Sequence, residues 1–180
     1  MSPRERDVLA LAADGLTAVR VLLAVAVVLE LGTGRTAVAA ALVGSAWLSD
    51  FFDGRAARAS ATPTRLGELD LWADTLVGAG AVLGFVAAGR LSWPVGIGAV
   101  VVLLAVFALT GNEAMSMILQ AIGYGLVLWH TGRDGHTALL VWLFAVIALV
   151  AVVNRRVLWE RSLPTFFAGV AAVLRGRPSQ

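Results

Sequence analysis

Four aspartates fall in two pairs. Asp50 and Asp53, three apart, close one long apolar run, and Asp70 and Asp74, four apart, open the next. Residues three or four apart share a helix face. Two helices joined by a short connection are antiparallel neighbours, so the two acidic faces converge. A carboxylate inside or beside a bilayer costs roughly 2.5–3.5 kcal/mol, and four of them require compensation. Their oxygens form a hard donor set suited to one or two divalent cations, Mg²⁺ or Mn²⁺. The chain has no cysteine, and His130 and His136 fall on the opposite membrane face, so neither thiolate nor imidazole ligation is expected. The stretch between the pairs is predicted to be a loop over 54–67. It reads Gly54-Arg55-Ala56-Ala57-Arg58 and then Thr62-Pro63-Thr64-Arg65-Leu66-Gly67. Gly54 and Ala57 remove bulk where backbone must approach a ligand, and Arg58 can grip phosphate through a bidentate contact. Metal, small residues and arginine together describe a diphosphate site.

The elements that must position these acids are membrane helices. The chain is 59% hydrophobic and 14% charged over 180 residues, with a mean hydropathy of +0.84. Soluble domains are about 45–50% apolar and about 25% charged. Apolar runs of spanning length are predicted at 16–32, 36–53, 69–89, 93–111, 114–131 and 136–154, each break marked by Gly, Arg, Asn or Asp. The expected architecture is therefore an all-α integral membrane protein with six transmembrane helices in residues 1–155. Residues 156–180 then form an interfacial amphipathic helix and tail. The N-terminus lacks a secretory cleavage pattern, so the first span must direct insertion. The six tryptophans mostly fall near predicted helix ends, as an interfacial belt would.

All basic residues are arginine. Six spans put Arg4, Arg6, Arg20, Arg55, Arg58, Arg65, Arg155, Arg156, Arg161, Arg175 and Arg177 on one face, against Arg35, Arg90 and Arg133 on the other. By the positive-inside rule both termini and the 54–67 connection are cytoplasmic, and the four aspartates meet the inner leaflet of a bacterial-type plasma membrane. A net charge of only +2 gives no reason to expect nucleic acid as a partner.

With these residues in place, the chain resembles the CDP-alcohol phosphotransferase (CDP-alcohol phosphatidyltransferase) family, whose signature is D-x2-D-G-x2-A-R-x8-G-x3-D-x3-D. Asp50, Asp53, Gly54, Ala57, Arg58, Gly67, Asp70 and Asp74 supply every named residue type. One spacing differs: two residues, not three, separate Gly67 from Asp70. If the helix already ran through Gly67, one deleted residue would turn the glycine about 100° relative to the acids. The segment Asp14 to Arg20 resembles the N-x2-T-x2-R that opens the first helix in many members.

The resemblance implies transfer of a phosphatidyl group from CDP-diacylglycerol to the hydroxyl of an alcohol, with release of CMP. It implies that Asp50, Asp53, Asp70 and Asp74 bind two ions and that Asp74 is the general base. Gly54, Ala57, Arg58, Thr64 and Gly67, with Asp14 and Thr17, would meet the CDP part, and a homodimer fits the family and the small residues of helices 3 and 4. The stretch from Trp47 to Gly54 looks most like the phosphatidylglycerol phosphate synthase branch. However, Asn112-Glu113 stands where that branch carries a basic residue for glycerol 3-phosphate, so another polyol competes as acceptor. Asn112, Glu113 and Gln120 are candidate acceptor contacts, and Asn112 is equally a helix cap. The alternatives from other classes are a catalytically impaired relative and a cation-binding membrane transporter.

Overall fold

The computed structural model describes residues 3–59, 66 and 69–175, and every regular element among them is helical. The helices are α1 (Pro3–Gly32), α2 (Thr36–Ala59), α3 (Asp70–Ala87), α4 (Trp93–Thr110), α5 (Glu113–Arg133) and α6 (Thr137–Val153). A C-terminal helix α7 (Arg155–Leu174) follows. Four stretches are long and apolar enough to cross a membrane: Ala10–Gly32, Asp70–Ala87, Trp93–Thr110 and Arg155–Leu174. The lipid-like character of the outer surface agrees, with Leu22, Val101, Val141 and Leu109 among many exposed aliphatic side chains. This is an integral membrane protein.

Two boundaries differ from the sequence expectation. Helix α1 begins at Pro3, not near residue 16; proline is well placed in a first turn, where its missing N–H would have no partner anyway. Helix α2 does not end at Asp53 but continues through Gly54-Arg55-Ala56-Ala57-Arg58-Ala59. Alanine and arginine are strong helix formers, and together they outweigh the single glycine. The short turns close on glycine: Gly34 (φ 79°) and Gly111 (φ 64°) adopt the left-handed backbone that other residues resist.

Helix α3 is the centre of the bundle. Its small residues let two neighbours approach to backbone contact. A methyl group on Gly78 would lie 2.7 Å from the Gln120 Cα of α5, and one on Gly123 would lie 2.3 Å from the Gly78 carbonyl oxygen. On the other side, a methyl on Gly80 would lie 2.9 Å from the Ala24 carbonyl of α1, and one on Gly84 would lie 2.6 Å from Leu31 Cβ. Close helix approach through small residues is the usual device where lipid offers no hydrophobic drive. The glycines of α3 that the sequence reading linked to dimer packing are thus used inside the chain. Val27, Leu31, Val43, Val77, Phe85, Val127 and Leu143 fill the adjoining core. Trp142 packs where a Cβ on Gly44 would stand, so this tryptophan belongs to the interior rather than to an interfacial belt. Trp93, Trp129 and Trp159 are exposed.

Helix α7 carries a π-helical turn over Leu158–Ser162. Pro164 lacks the N–H that would bond the Glu160 carbonyl and crowds that turn, so the ladder widens just before it. The helix docks against the α4–α5 junction. Phe166 and Val170 pack on Phe107, Ala114 and Met115, and the Asn112 side-chain amide donates to the Gly169 carbonyl at 3.0 Å.

Candidate active site

Three helices meet at one end of the bundle, and each contributes charge. Helix α1 presents Asp14, Thr17 and Arg20, spaced three apart on one face. Asp50 and Asp53 come from α2, and Asp70 and Asp74 from the first turns of α3. The Ser49 hydroxyl donates to the Leu16 carbonyl at 3.3 Å and ties α2 to α1. The Leu66 amide donates to Asp14 Oδ1 at 2.8 Å and ties the connection before α3 to the same helix. Helix α3 starts at Asp70 and carries Asp74 one turn on; the shortened spacing before Asp70 falls at Gly67 and Glu68, outside the described residues.

The four carboxylates surround one guanidinium. Arg20 Nη1 donates to Asp50 Oδ1 at 3.2 Å and to Asp74 Oδ1, and Nη2 donates to Asp53 Oδ2 and Asp70 Oδ1. The Arg20 side chain is fully buried, at 0% exposure, and Asp53 is nearly so at 5%. Asp50 and Asp70 are far more open, at 44% and 39%. The site therefore has a closed floor and an accessible mouth. Sequence reasoning counted Arg20 among the basic residues of one face and as the last residue of the Asp14–Arg20 resemblance, without assigning it to the acids. The available signal was its position, within an apolar span and one helical turn beyond Thr17.

Ligand oxygens of Asp50, Asp70 and Asp74 lie within 4.8 Å of one another. Asp53 joins them through Arg20, and its Oδ1 is buried with no hydrogen-bond partner. An orphaned carboxylate oxygen in a dry floor is costly. Among the described side chains, four acids face one guanidinium. The residues fit a divalent cation: hard oxygens, converging geometry and an unsatisfied buried acceptor.

The remaining expected site residues divide clearly. Gly54 lies half-buried in α2 beside Asp53. Ala57 and Arg58 continue that helix, placed by backbone only, while Thr64 and Gly67 lie outside the described residues. The Thr17 hydroxyl donates to the Ala13 carbonyl of its own helix. Asn112 is a cap, its Oδ1 accepting the Ala114 amide at 3.0 Å, with the other half of its amide spent on α7. Gln120 donates to Ser116 Oγ at 3.0 Å, and Ser116 shares a hydrogen bond with Thr75, the neighbour of Asp74. Trp47 packs edge-on against Tyr124 at 5.1 Å, and the Tyr124 hydroxyl reaches the Asp74 carbonyl at 3.4 Å. Ser116, Thr75 and Tyr124 were not anticipated, because nothing in their spacing distinguishes them from ordinary polar residues of a span.

Comparison with known proteins agrees with the geometry. The family model described as CDP-alcohol phosphatidyltransferase matches residues 10–167, a range that contains Arg20 and all four clustered acids. No curated protein and no solved structure matches the chain significantly.

Proposed function

Since the chain belongs to the CDP-alcohol phosphatidyltransferase family, whose members are enzymes of phosphatidyl transfer from a CDP-alcohol, we propose that its donor is CDP-diacylglycerol and its acceptor an uncharged polyol. The observation that carries this reading is the convergence of Asp50, Asp70 and Asp74, with buried Asp53 beneath them, at the end of the bundle.

In the reaction an acceptor oxygen attacks the phosphorus that bears the diacylglycerol. A new P–O bond forms, the bond to the CMP oxygen breaks, and the hydroxyl proton passes to a base. Asp50, Asp53, Asp70 and Asp74 would hold Mg²⁺ or Mn²⁺, which when bound neutralises the diphosphate and improves CMP as a leaving group. Asp74 is the proton acceptor in this reading. It stands last along α3, next to the hydroxyl-bearing Thr75 and Ser116, where an alcohol can reach its carboxylate. Gly54, Ala57, Arg58, Thr64, Gly67, Asp14 and Thr17 are proposed for the CDP part, Arg58 by pairing with phosphate. Asp14 also fixes the connection that would cover that part, through the Leu66 amide.

The α5 side chains bonded beside Asp74 are neutral: Ser116 to Thr75, Gln120 to Ser116, and Tyr124 to the Asp74 carbonyl. They suit hydroxyl groups better than a phosphate, which supports an uncharged polyol over glycerol 3-phosphate. The arginine asymmetry supports a site at the cytoplasmic leaflet. A homodimer would use surfaces other than the glycines of α3.

The test is CMP release by purified protein supplied with CDP-diacylglycerol, Mg²⁺ or Mn²⁺, and a panel containing glycerol, inositol, glycerol 3-phosphate and inositol phosphate. Metal-dependent CMP release with an uncharged polyol is expected. Release only with a phosphorylated acceptor would overturn the acceptor assignment. No release with any acceptor, despite metal binding, would identify an impaired family member.

A further inference from the structure

Arg20 occupies the place that the metal chemistry requires. A guanidinium has four Nη–H donors in a plane, and here each carboxylate receives a bond from one of the two Nη atoms: Asp50 and Asp74 from Nη1, Asp53 and Asp70 from Nη2. The acids that converge within ligand distance of one another, Asp50, Asp70 and Asp74, are therefore the acids it engages. Its Nε is buried and has no partner among the described residues, so the carboxylates hold the head group. Without a cation among them, four carboxylates drawn from α2 and α3 would repel and splay.

We propose that Arg20 is a built-in counter-cation. It holds α1, α2 and α3 assembled while the site is free of metal, and it yields carboxylate oxygens when a divalent ion arrives. The proposal rests on the metal-binding reading of these acids given above. Competition follows from charge. A fixed positive charge a few ångströms from an incoming divalent ion opposes its binding, so the chain accepts weaker metal affinity in return for a preassembled site. Arg20 is thus a positioning residue, and it makes the metal exchangeable.

The experiment is a Mn²⁺ titration by electron paramagnetic resonance, combined with thermal unfolding in detergent, on the wild-type chain, Arg20→Gln and Arg20→Lys. Removing one charge a few ångströms from the ion should tighten Mn²⁺ binding by about tenfold or more. Arg20→Gln should also unfold at lower temperature without metal and recover more on adding Mn²⁺ than the wild type does. Arg20→Lys keeps the charge but cannot hold four carboxylates in one plane, so it should fall between the two. If Arg20→Gln folds only when Mn²⁺ is present throughout purification, the proposal is supported. Equal or weaker Mn²⁺ binding in the variants than in a metal-binding wild type would overturn the role of Arg20 alone. A wild type that binds no Mn²⁺ would instead overturn the metal reading on which it rests.

Discussion

The two ends of the bundle both carry charge inside a membrane protein, yet they solve the problem in opposite ways. At the far end cations and anions are paired one to one, Arg35 with Glu30 and Arg90 with Asp134. Arg90 Nη1 donates to Asp134 Oδ2 at 2.6 Å and to the Thr36 hydroxyl at 3.1 Å, and Thr36 donates to the same Asp134 oxygen at 2.7 Å. His130 stacks on Phe85 with centroids 4.5 Å apart and closes the group. This cluster ties the start of α2 to the ends of α3 and α5, and its charges cancel. At the acidic end four carboxylates share one guanidinium, and a buried oxygen of Asp53 has no partner. Under the proposed function, the acidic end is the one that would receive a cation.

That contrast can be broken most severely at Asp74. Asp74→Asn keeps the shape and the hydrogen-bonding capacity toward Arg20 but removes the proton acceptor. Turnover should fall by about 10²–10⁴-fold, with Mn²⁺ and CDP binding partly retained. The readout is CMP release beside a Mn²⁺ titration. Near-normal turnover would reassign the base, whereas a parallel loss of all binding would make Asp74 only a ligand. No comparable loss is expected from any change at the far end.

The acids were legible because their cost in a membrane, their spacing and their position at helix junctions all point the same way. The helices were legible because lipid demands long apolar runs. Among the described residues, though, four stretches are long and apolar enough to cross a membrane, one of them the C-terminal Arg155–Leu174 expected at the interface. Arg20 was legible only as the last residue of the Asp14–Arg20 resemblance and as one more arginine on the acidic face. That its head group lies among the four acids follows from the packing of α1 against α2 and α3, which no local pattern gives. The α2 extension was missed because glycine beside arginine looks like a turn until the alanines that follow are weighed. The glycines of α3 announce close packing, but nothing local says that α1 and α5 are the partners. The far-end cluster joins residues separated by up to 98 positions, and no local pattern could reveal it.

The scaffold that brings the acids together can be tested without touching them. Gly123→Val places side-chain atoms against the Gly78 backbone, where even a methyl group would lie 2.3 Å from the carbonyl oxygen. The crossing of α3 and α5 must open, at a cost of about 1–3 kcal/mol by the usual scale of overpacking. Thermal unfolding should shift down, and activity should fall with it as Ser116 and Tyr124 move away from Asp74. Gly125→Ala is the control on the same helix. A methyl there meets nothing within 4 Å, so the gain in helix propensity should leave stability equal or slightly raised. Equal destabilisation by both changes would show that the glycine crossing has no special role.

The smallest effect is expected at the balanced end, and its pH dependence distinguishes it from the site. The Arg90 hydrogen bond, followed by that of the Thr36 hydroxyl, holds the Asp134 carboxyl below the ordinary aspartate value. A depressed carboxyl contributes stability above its unfolded pKa of about 3.9, and that contribution fades as pH falls through the lower folded value. Asp134 and Arg90 retain 24% and 31% of their side-chain exposure, so water screens the pair and the contribution should be about 1 kcal/mol or less. Asp134→Asn should therefore lower the unfolding temperature slightly at pH 7 and converge on the wild type below about pH 4, with CMP release unchanged at neutral pH. A gap that persists undiminished at acid pH would mean that Asp134 acts by packing and not by charge, and a large loss of activity would mean that the two ends are coupled through α3 and α5.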